Sequence, residues 1–534
     1  NINMATSSDS LLSSPHGGKS FVPKNYNTKT IGRHDARNSV KVKTNHSGDV
    51  PHFIYEGLLT NPNRIEEDLI NDPMNGKSTL CCTSFNVING IVGAGVIGLP
   101  YAFHQQGFLP AIIGMLVIAI VTYFTMILQI EVGRTCGCFT YESVCELAFG
   151  RKGFYGLVVF MGINSFGVCV AYICLIQLVL PPILHPILVA FVPSSDMKYI
   201  TPEVMIFGLS TVLLLPLSLY RNIASLEKVS FLSIIVIILM ISALAINFFS
   251  MGDKAAIRTE NLNELLIDFG SEYIQGLGTL AFAFGCQQYS FLAFESLDEP
   301  TESRWSIVAG MSLIVSFIFA LIFAETGYVS FGSQTQANVL DNLETDSVIA
   351  NVARMAGVLK LCCCFPLDFF VIRYSIQRFL QKFCCSSIQW NSDGGDANAT
   401  EFDSRGRPIF TPIITRENVR GNGHAKDLNC CLHFVLTFVL WAAVMGVSYL
   451  AMNANGKTKG LALVLQLCGS VGAIFVGFVF PTACYLKLGI AKLRPPNCWD
   501  SLTYYFAWVV LIFGIVIGIV STCVTLMDAF SPGK

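Results

Sequence analysis

The sequence predicts an all-α polytopic membrane protein with about eleven transmembrane helices. Its composition is the first observation: 53% of the 534 residues are hydrophobic and only 13% are charged, whereas about 25% of the residues in soluble domains are charged. The second is that apolar runs long enough to cross a bilayer recur through the chain. The third is that two of these runs are interrupted by glycines or polar residues. The net charge of −2 argues against a nucleic-acid partner.

A polar tail precedes the first apolar run. Residues 1–78 are rich in Ser, Asn, Lys and Asp, a composition typical of a disordered segment rather than of a signal peptide. Lys and Arg recur along this tail. Because positively charged flanks of membrane spans tend to stay on the cytosolic side, we expect the N-terminus to be cytosolic.

The apolar runs define the expected membrane domain, residues 79–527. We place its spans near residues 80–103, 109–131, 154–184, 202–219, 225–249, 272–297, 305–332, 347–378, 430–452, 459–484 and 499–527. The connections expected in the cytosol hold more Lys and Arg than those on the opposite side, in agreement with the positive-inside rule. The long connection 386–428 is polar and poor in apolar residues, which predicts a flexible cytosolic loop.

The first span, Ser84 to Phe103, contains four glycines with a proline just after the last of them. Its sequence, SFNVINGIVGAGVIGLPYAF, places them at Gly90, Gly93, Gly95, Gly98 and Pro100. Glycines can form a helix-packing face. Alternatively, the helix breaks at residues 92–95, and the freed backbone groups bind a ligand near the membrane midplane. Asn89, one turn before this break, fits the second interpretation better.

The sixth span contains the second interruption. A polar stretch, Gly285 to Ser290, lies between apolar segments. Two inverted repeats, at about 80–249 and 272–484 with an extra helix at 499–527, would make these the matching broken helices of the two halves. The alternative for Gln287 and Gln288 is hydrogen bonding between helices.

Four stretches resemble a known family. They are SFNVINGIVGAGVIGLPYA in span 1, LSLYRNIASLEKVS between spans 4 and 5, SFLAFESLDEPT closing span 6, and PTACYLKL closing span 10. Over about residues 80–527 the chain resembles the amino acid/auxin permease superfamily and, within it, the sodium-coupled neutral amino acid transporters. The resemblance implies a leucine-transporter-like fold with 5+5 inverted repeats and broken helices 1 and 6. It also implies a secondary active symporter for neutral L-amino acids.

The resemblance also implies a substrate site and an ion site. Backbone N–H groups of Gly93, Ala94 and Gly95 would hold the substrate carboxylate, since an N–H concavity suits an anion. The carbonyl near Val92, with Asn89 close by, would bind a sodium ion, which prefers oxygen ligands. The interruption of span 6 would meet the amine and side chain of the substrate, through candidates Gly285, Gln287 and Ser290.

Span 8 departs from the family. The family carries a hydroxyl residue two positions before the proline of this span, where it helps to bind sodium, but this chain has Cys364. Lys360 and Asp368 lie four residues before and after it, roughly on one helical face. A thiol suits sodium poorly, and a lysine at this depth indicates function by default. Its ammonium group would replace the sodium or carry a proton. The alternatives are a snorkelling lysine or a structural pair with another helix.

Two classes of function stay open at this stage. The first is a transporter coupled to sodium, to protons or to neither, in a plasma, lysosomal or vesicular membrane. The second is an amino-acid sensor that binds without net transport. No paired carboxylates, metal-ligand spacing or nucleophile motif indicates an enzyme. We expect no cofactor beyond a sodium ion; the other expected partners are a proton and the lipid bilayer.

Overall fold

The computed structural model describes residues 78–93, 95–138, 140–191, 201–219, 227–259, 272–344, 347–385, 430–454, 457–490 and 498–530. The tail that precedes Ser78 and the 386–428 loop lie outside these residues, so the assignments made for them stay predictions, as do the boundaries of the two repeats. Within the described residues the protein is helical, with no strand beyond one isolated β-bridge.

The first half of the fold begins with a broken span. Its two pieces, α1 (Leu80–Ile91) and α2 (Gly95–Gln106), are bent by 52° relative to each other. The Thr79 side chain caps α1 by accepting a hydrogen bond from the Cys82 backbone N–H. The helices of this half are α1 (Leu80–Ile91), α2 (Gly95–Gln106), α3 (Phe108–Thr135), α4 (Tyr141–Phe191), α5 (Pro202–Leu209), α6 (Leu215–Ser218), α7 (Glu227–Met251) and α8 (Ala256–Thr259).

The second half also begins with a broken span, formed by α9 and α10 with a short 3-10 turn, Gln287–Tyr289, between them. The helices of this half are α9 (Tyr273–Ala283), α10 (Ser290–Ser296), α11 (Glu302–Phe331), α12 (Val348–Cys385), α13 (Cys430–Ala454), α14 (Lys457–Leu467), α15 (Phe480–Leu488) and α16 (Cys498–Phe530). Two π-helical stretches, Cys468–Ala473 and Phe475–Val479, join α14 to α15.

The predicted fold class is confirmed. Eight helices of the described residues are individually long and apolar enough to cross a membrane, and the α1–α2 pair makes a ninth. The remaining two predicted spans are the shorter α5–α6 and the broken α9–α10. Helix α4 is interrupted at Gly150, whose φ of 64° and ψ of −157° are not helical, so a short helical segment from Tyr141 precedes the span predicted near 154–184.

The central helix of the fold is α12. It packs mainly against α4 and α7, while α2 packs against α9 and α11. The outer helices α3 and α16 expose large apolar side chains such as Ile113 (61% exposed) and Val509 (60% exposed). This is an apolar outer surface around a buried centre, as lipid contact requires.

The two broken spans are joined at one end by a β-bridge. The Ser78 N–H donates to the Ser296 carbonyl (3.1 Å), and the Asp298 N–H donates to the Ser78 carbonyl (3.0 Å). The residue that leads into α1 is therefore hydrogen-bonded to the residues that follow α10.

Candidate functional site

The break in the first span is sharp. Helix α1 ends at Ile91, and the Gly93 N–H donates back to the Ile91 carbonyl (2.8 Å). Gly95 then begins α2. The first N–H groups of a helix have no acceptor within the helix, and its N-terminus carries a partial positive charge. This end of α2 is therefore suited to an anion such as a carboxylate. Ala94 lies outside the described residues.

The two glycines at this break have different surroundings. A Cβ atom at Gly95 would lie 2.8 Å from the Cβ of Ala283, so α2 meets α9 only because residue 95 has no side chain. A Cβ at Gly93 would instead lie 3.1 Å from the Tyr172 hydroxyl. Gly95 thus serves helix packing, whereas Gly93 faces the Tyr172 hydroxyl beside a small cavity.

The break in the sixth span is fixed to its neighbours by a glutamine. The Gln287 Nε2 donates to the Thr125 hydroxyl (3.2 Å), and its Oε1 accepts from the Cys286 N–H (3.0 Å). Gln129 of α3 donates to the Gln287 carbonyl (3.2 Å). Gln287 therefore ties the break to α3, in keeping with the structural interpretation. Ser290 is buried and, like Gln287, is not among the residues that line the cavity described next.

A small cavity lies between the two breaks. Its lining includes glycines of both breaks and four polar side chains: Gly93, Gly95, Gly285, Tyr172, Gln288, Tyr289 and Asp368. The predicted substrate residues Gly93, Gly95 and Gly285 thus meet at one place. An N-terminal helix end, a carboxylate and two phenols surround this space.

Asp368 is the charged group of the cavity. It is only 5% exposed. Its Oδ1 accepts hydrogen bonds from the Tyr289 hydroxyl (2.5 Å) and from Gln288 Nε2 (3.1 Å), and its Oδ2 accepts from the Tyr172 hydroxyl (3.0 Å). Gln288 is itself oriented by Asn164, whose Nδ2 donates to its Oε1 (2.9 Å). The carboxylate is therefore held rigidly by neutral donors.

Lys360 lies in a second site, away from the cavity. Its ammonium donates to Asn89 Oδ1 (2.8 Å) and to the Ser233 hydroxyl. The Cys364 Sγ is 3.4 Å from the same Asn89 oxygen. The structure thus brings together Asn89, Lys360 and Cys364, three of the four candidates for the ion site. Val92, the fourth, follows the last residue of α1 and is buried.

Several residues of these two sites were not predicted from the sequence. Tyr172 and Ser233 are single polar residues within long apolar runs, and such residues give no local signal. Asp368 did give one, because a carboxylate within a membrane span indicates function by default; only its position on the helix was noted.

Comparisons with known proteins agree with this architecture. The family model described as transmembrane amino acid transporter protein matches residues 76–527. The "Putative sodium-coupled neutral amino acid transporter 11" of Danio rerio is 27% identical over 443 residues, covering 83% of this chain and 86% of that protein. The "Vacuolar amino acid transporter 2" of Saccharomyces cerevisiae is 24% identical over 474 residues, covering 87% of both.

A solved structure shares the fold. The manganese transporter of Eremococcus coleocola superposes with a TM-score of 0.51 over 88% of this chain and 93% of its own, at 11% identity. At this identity the likeness concerns the fold alone.

Proposed function

Since the chain belongs to the family of transmembrane amino acid transporter proteins, we propose that it is a secondary active transporter that carries neutral L-amino acids across a membrane. It is a multi-pass membrane protein and a transporter rather than an enzyme. The observation that carries the proposal is the cavity between two broken spans, which the N-terminus of α2 borders.

The first step of the proposed mechanism is substrate binding. The N–H groups of the first turn of α2, beginning at Gly95, would receive the substrate carboxylate, because they lack acceptors within the helix. Gly93 leaves the space that the substrate needs. The second break, at Gly285, borders the same cavity. Movement of the half-helices around this position would expose the cavity to either side in turn.

The second step concerns the coupling ion. The Lys360 ammonium occupies the Asn89 side-chain oxygen that the family resemblance assigns to sodium. A sodium ion about 4 Å from this ammonium would be repelled by about 4 kcal/mol at an effective dielectric of ~20. The thiol of Cys364 is also a poor substitute for an oxygen ligand. We therefore expect transport to depend less on sodium than the name of the Danio rerio relative says.

Uptake into proteoliposomes tests the transport proposal. The purified full-length protein is reconstituted and given tritiated L-alanine, L-leucine and L-glutamine, while the sodium and pH gradients are varied independently. We expect at least one of these amino acids to accumulate above its external concentration, with a weak response to the sodium gradient. Saturable binding without accumulation would contradict transport and favour an amino-acid sensor.

A double variant tests the role of the ammonium. Lys360→Ala with Cys364→Thr removes the cation and restores a hydroxyl, so we expect uptake to become more dependent on sodium. Cys363→Thr is the matched control, because it adds the same hydroxyl about 100° around the helix. A steep sodium dependence of the unmodified protein that Lys360→Ala leaves unchanged would overturn this assignment.

A further inference from the structure

The cavity contains a buried carboxylate, that of Asp368. Within the described residues no ion pair reaches it; the pairs found there include Arg134 with Glu302, Arg304 with Glu299 and Lys382 with Glu146. A carboxylate offers about four lone-pair positions, and three hydrogen bonds to Asp368 come from neutral donors. Burial of a charge is costly unless an opposite charge accompanies it.

Lys360 is not that opposite charge. It lies on the same helix, but eight residues rise about 12 Å along the axis. Its ammonium is also engaged with Asn89 and Ser233. Within the described part of the chain, the open side of Asp368 faces the cavity.

The distance from Asp368 to the first break is short. The Tyr172 hydroxyl lies 3.0 Å from Asp368 Oδ2. The same hydroxyl lies 3.1 Å from the position of a Cβ atom at Gly93. A single phenol oxygen therefore separates the carboxylate from the break where α2 begins. Because the ammonium and carboxylate groups of an α-amino acid are attached to the same carbon, a ligand whose carboxylate binds at this break would bring its ammonium toward Asp368.

We propose that Asp368 is the counter-charge for the α-ammonium group of the transported amino acid. Tyr172, Gln288 and Tyr289 hold its carboxylate in position for that role. The inference rests on the proposed function, since it assumes that an amino acid enters this cavity. It adds a specificity determinant: the site requires a free ammonium group, and the ligand supplies the positive charge that the protein lacks there.

Ligand-induced thermal stabilisation of the purified full-length protein tests this assignment. Three probes are titrated: L-leucine, 4-methylpentanoate, which is leucine without its amino group, and L-lysine. The variants are Asp368→Asn and, as matched control, Glu299→Gln, which neutralises an exposed carboxylate outside the cavity. In the unmodified protein and the control, we expect L-leucine to bind at least about 30-fold more tightly than 4-methylpentanoate, the loss typical of an unpaired buried charge.

In Asp368→Asn we expect that ratio to fall to a few-fold, with L-leucine weakened and 4-methylpentanoate unchanged or improved. A merely structural role would weaken both ligands alike and leave the ratio constant, which would overturn the assignment. A loss confined to L-lysine would also overturn it, since Asp368 would then serve a side-chain cation. If Asp368→Asn does not fold, Asp368→Ser replaces it, because it also removes the charge, and an unchanged ratio there counts against the proposal.

The proposed function fails in a distinguishable way. If neither L-alanine, L-leucine, L-glutamine nor L-lysine stabilises or enters vesicles with the unmodified protein, amino-acid transport is wrong and the role of Asp368 is wrong with it. If L-leucine accumulates in vesicles with the unmodified protein and binds to it and to Asp368→Asn equally well, transport stands and only the role of Asp368 is lost.

Discussion

Two buried charged side chains, Lys360 and Asp368, lie on one helix, and their surroundings differ. Lys360 is 2% exposed and donates hydrogen bonds to the side-chain oxygens of Asn89 and Ser233. Asp368, two turns further along α12, is 5% exposed, accepts hydrogen bonds only from neutral donors among the described residues, and borders the cavity.

The difference teaches which charge is structural and which is available. A cation whose donors are used within the protein is a fixed part of the fold. An anion that is oriented by neutral donors but not paired with a cation can still form an ion pair with a positively charged ligand. Four variants test this difference between Lys360 and Asp368, from the largest expected effect to the smallest.

The cavity at Asp368 is bordered by Gly95, where α2 meets α9 closely, so breaking this contact should abolish transport. Gly95→Leu puts a side chain against Ala283, where even a Cβ would be too close. We expect uptake to fall to background while the protein still reaches the membrane. The matched control is Gly446→Leu, because a Cβ at Gly446 meets nothing within 4 Å. Normal uptake by Gly95→Leu would show that the two half-helices need not touch.

Removal of the fixed cation should create an ion site. In Lys360→Ala, the oxygens of Asn89 and Ser233 lose the ammonium group, and a sodium ion can take its place beside them. We expect sodium chloride, relative to choline chloride, to stabilise this variant by about 2–3 kcal/mol when sodium is at roughly 100 times its dissociation constant. The unmodified protein should respond equally to both salts. Equal responses in the variant would mean that Lys360 does not occupy a cation site.

Loss of a hydrogen-bond donor to the Asp368 carboxylate should weaken substrate binding without affecting the ammonium group of Lys360. Tyr289→Phe removes the hydroxyl that lies 2.5 Å from Asp368 Oδ1. Because a hydrogen bond to a charged group contributes about 1.5–3 kcal/mol, we expect KM for uptake to rise at least about tenfold. The response to sodium should stay as in the unmodified protein. Tyr505→Phe, at a side chain that is 67% exposed, is the control and should leave KM unchanged.

A small intrusion into the cavity should have the smallest effect. Gly93→Ala places a methyl group 3.1 Å from the Tyr172 hydroxyl, a contact that a shift of a few tenths of an ångström relieves. We expect a rise in KM of about threefold, equivalent to less than about 1 kcal/mol, and no change in thermal stability. A loss as large as that of Gly95→Leu would place Gly93 in helix packing as well.

Sequence reasoning located the two breaks because their signals are local. Glycines in span 1 and the polar run in span 6 stand out against apolar neighbours, and the fold class followed from the recurrence of such runs. The spacing of Lys360 and Cys364 on one helical face also survives in the structure, since α12 is continuous there.

The roles of Gln287 and Gln288 could not be predicted in the same way. The two are adjacent, yet one binds Thr125 of α3 and the other binds Asp368. Their directions depend on a 3-10 turn, and helical periodicity is lost where a helix breaks. Tyr172 and Ser233 depend on contacts between distant helices, which a single sequence does not encode as a local pattern.

The bridge around Ser78 has a consequence for how the protein is made. Its partners, Ser296 and Asp298, belong to the other half of the chain. At about 5–20 residues per second, the ribosome delivers them roughly 10–45 s after Ser78 itself. During that interval the backbone groups of Ser78, at the start of the first span, do not yet have these partners. The cavity between the two breaks is therefore completed only after the second half has been made, so the newly made first half depends on the late arrival of the second.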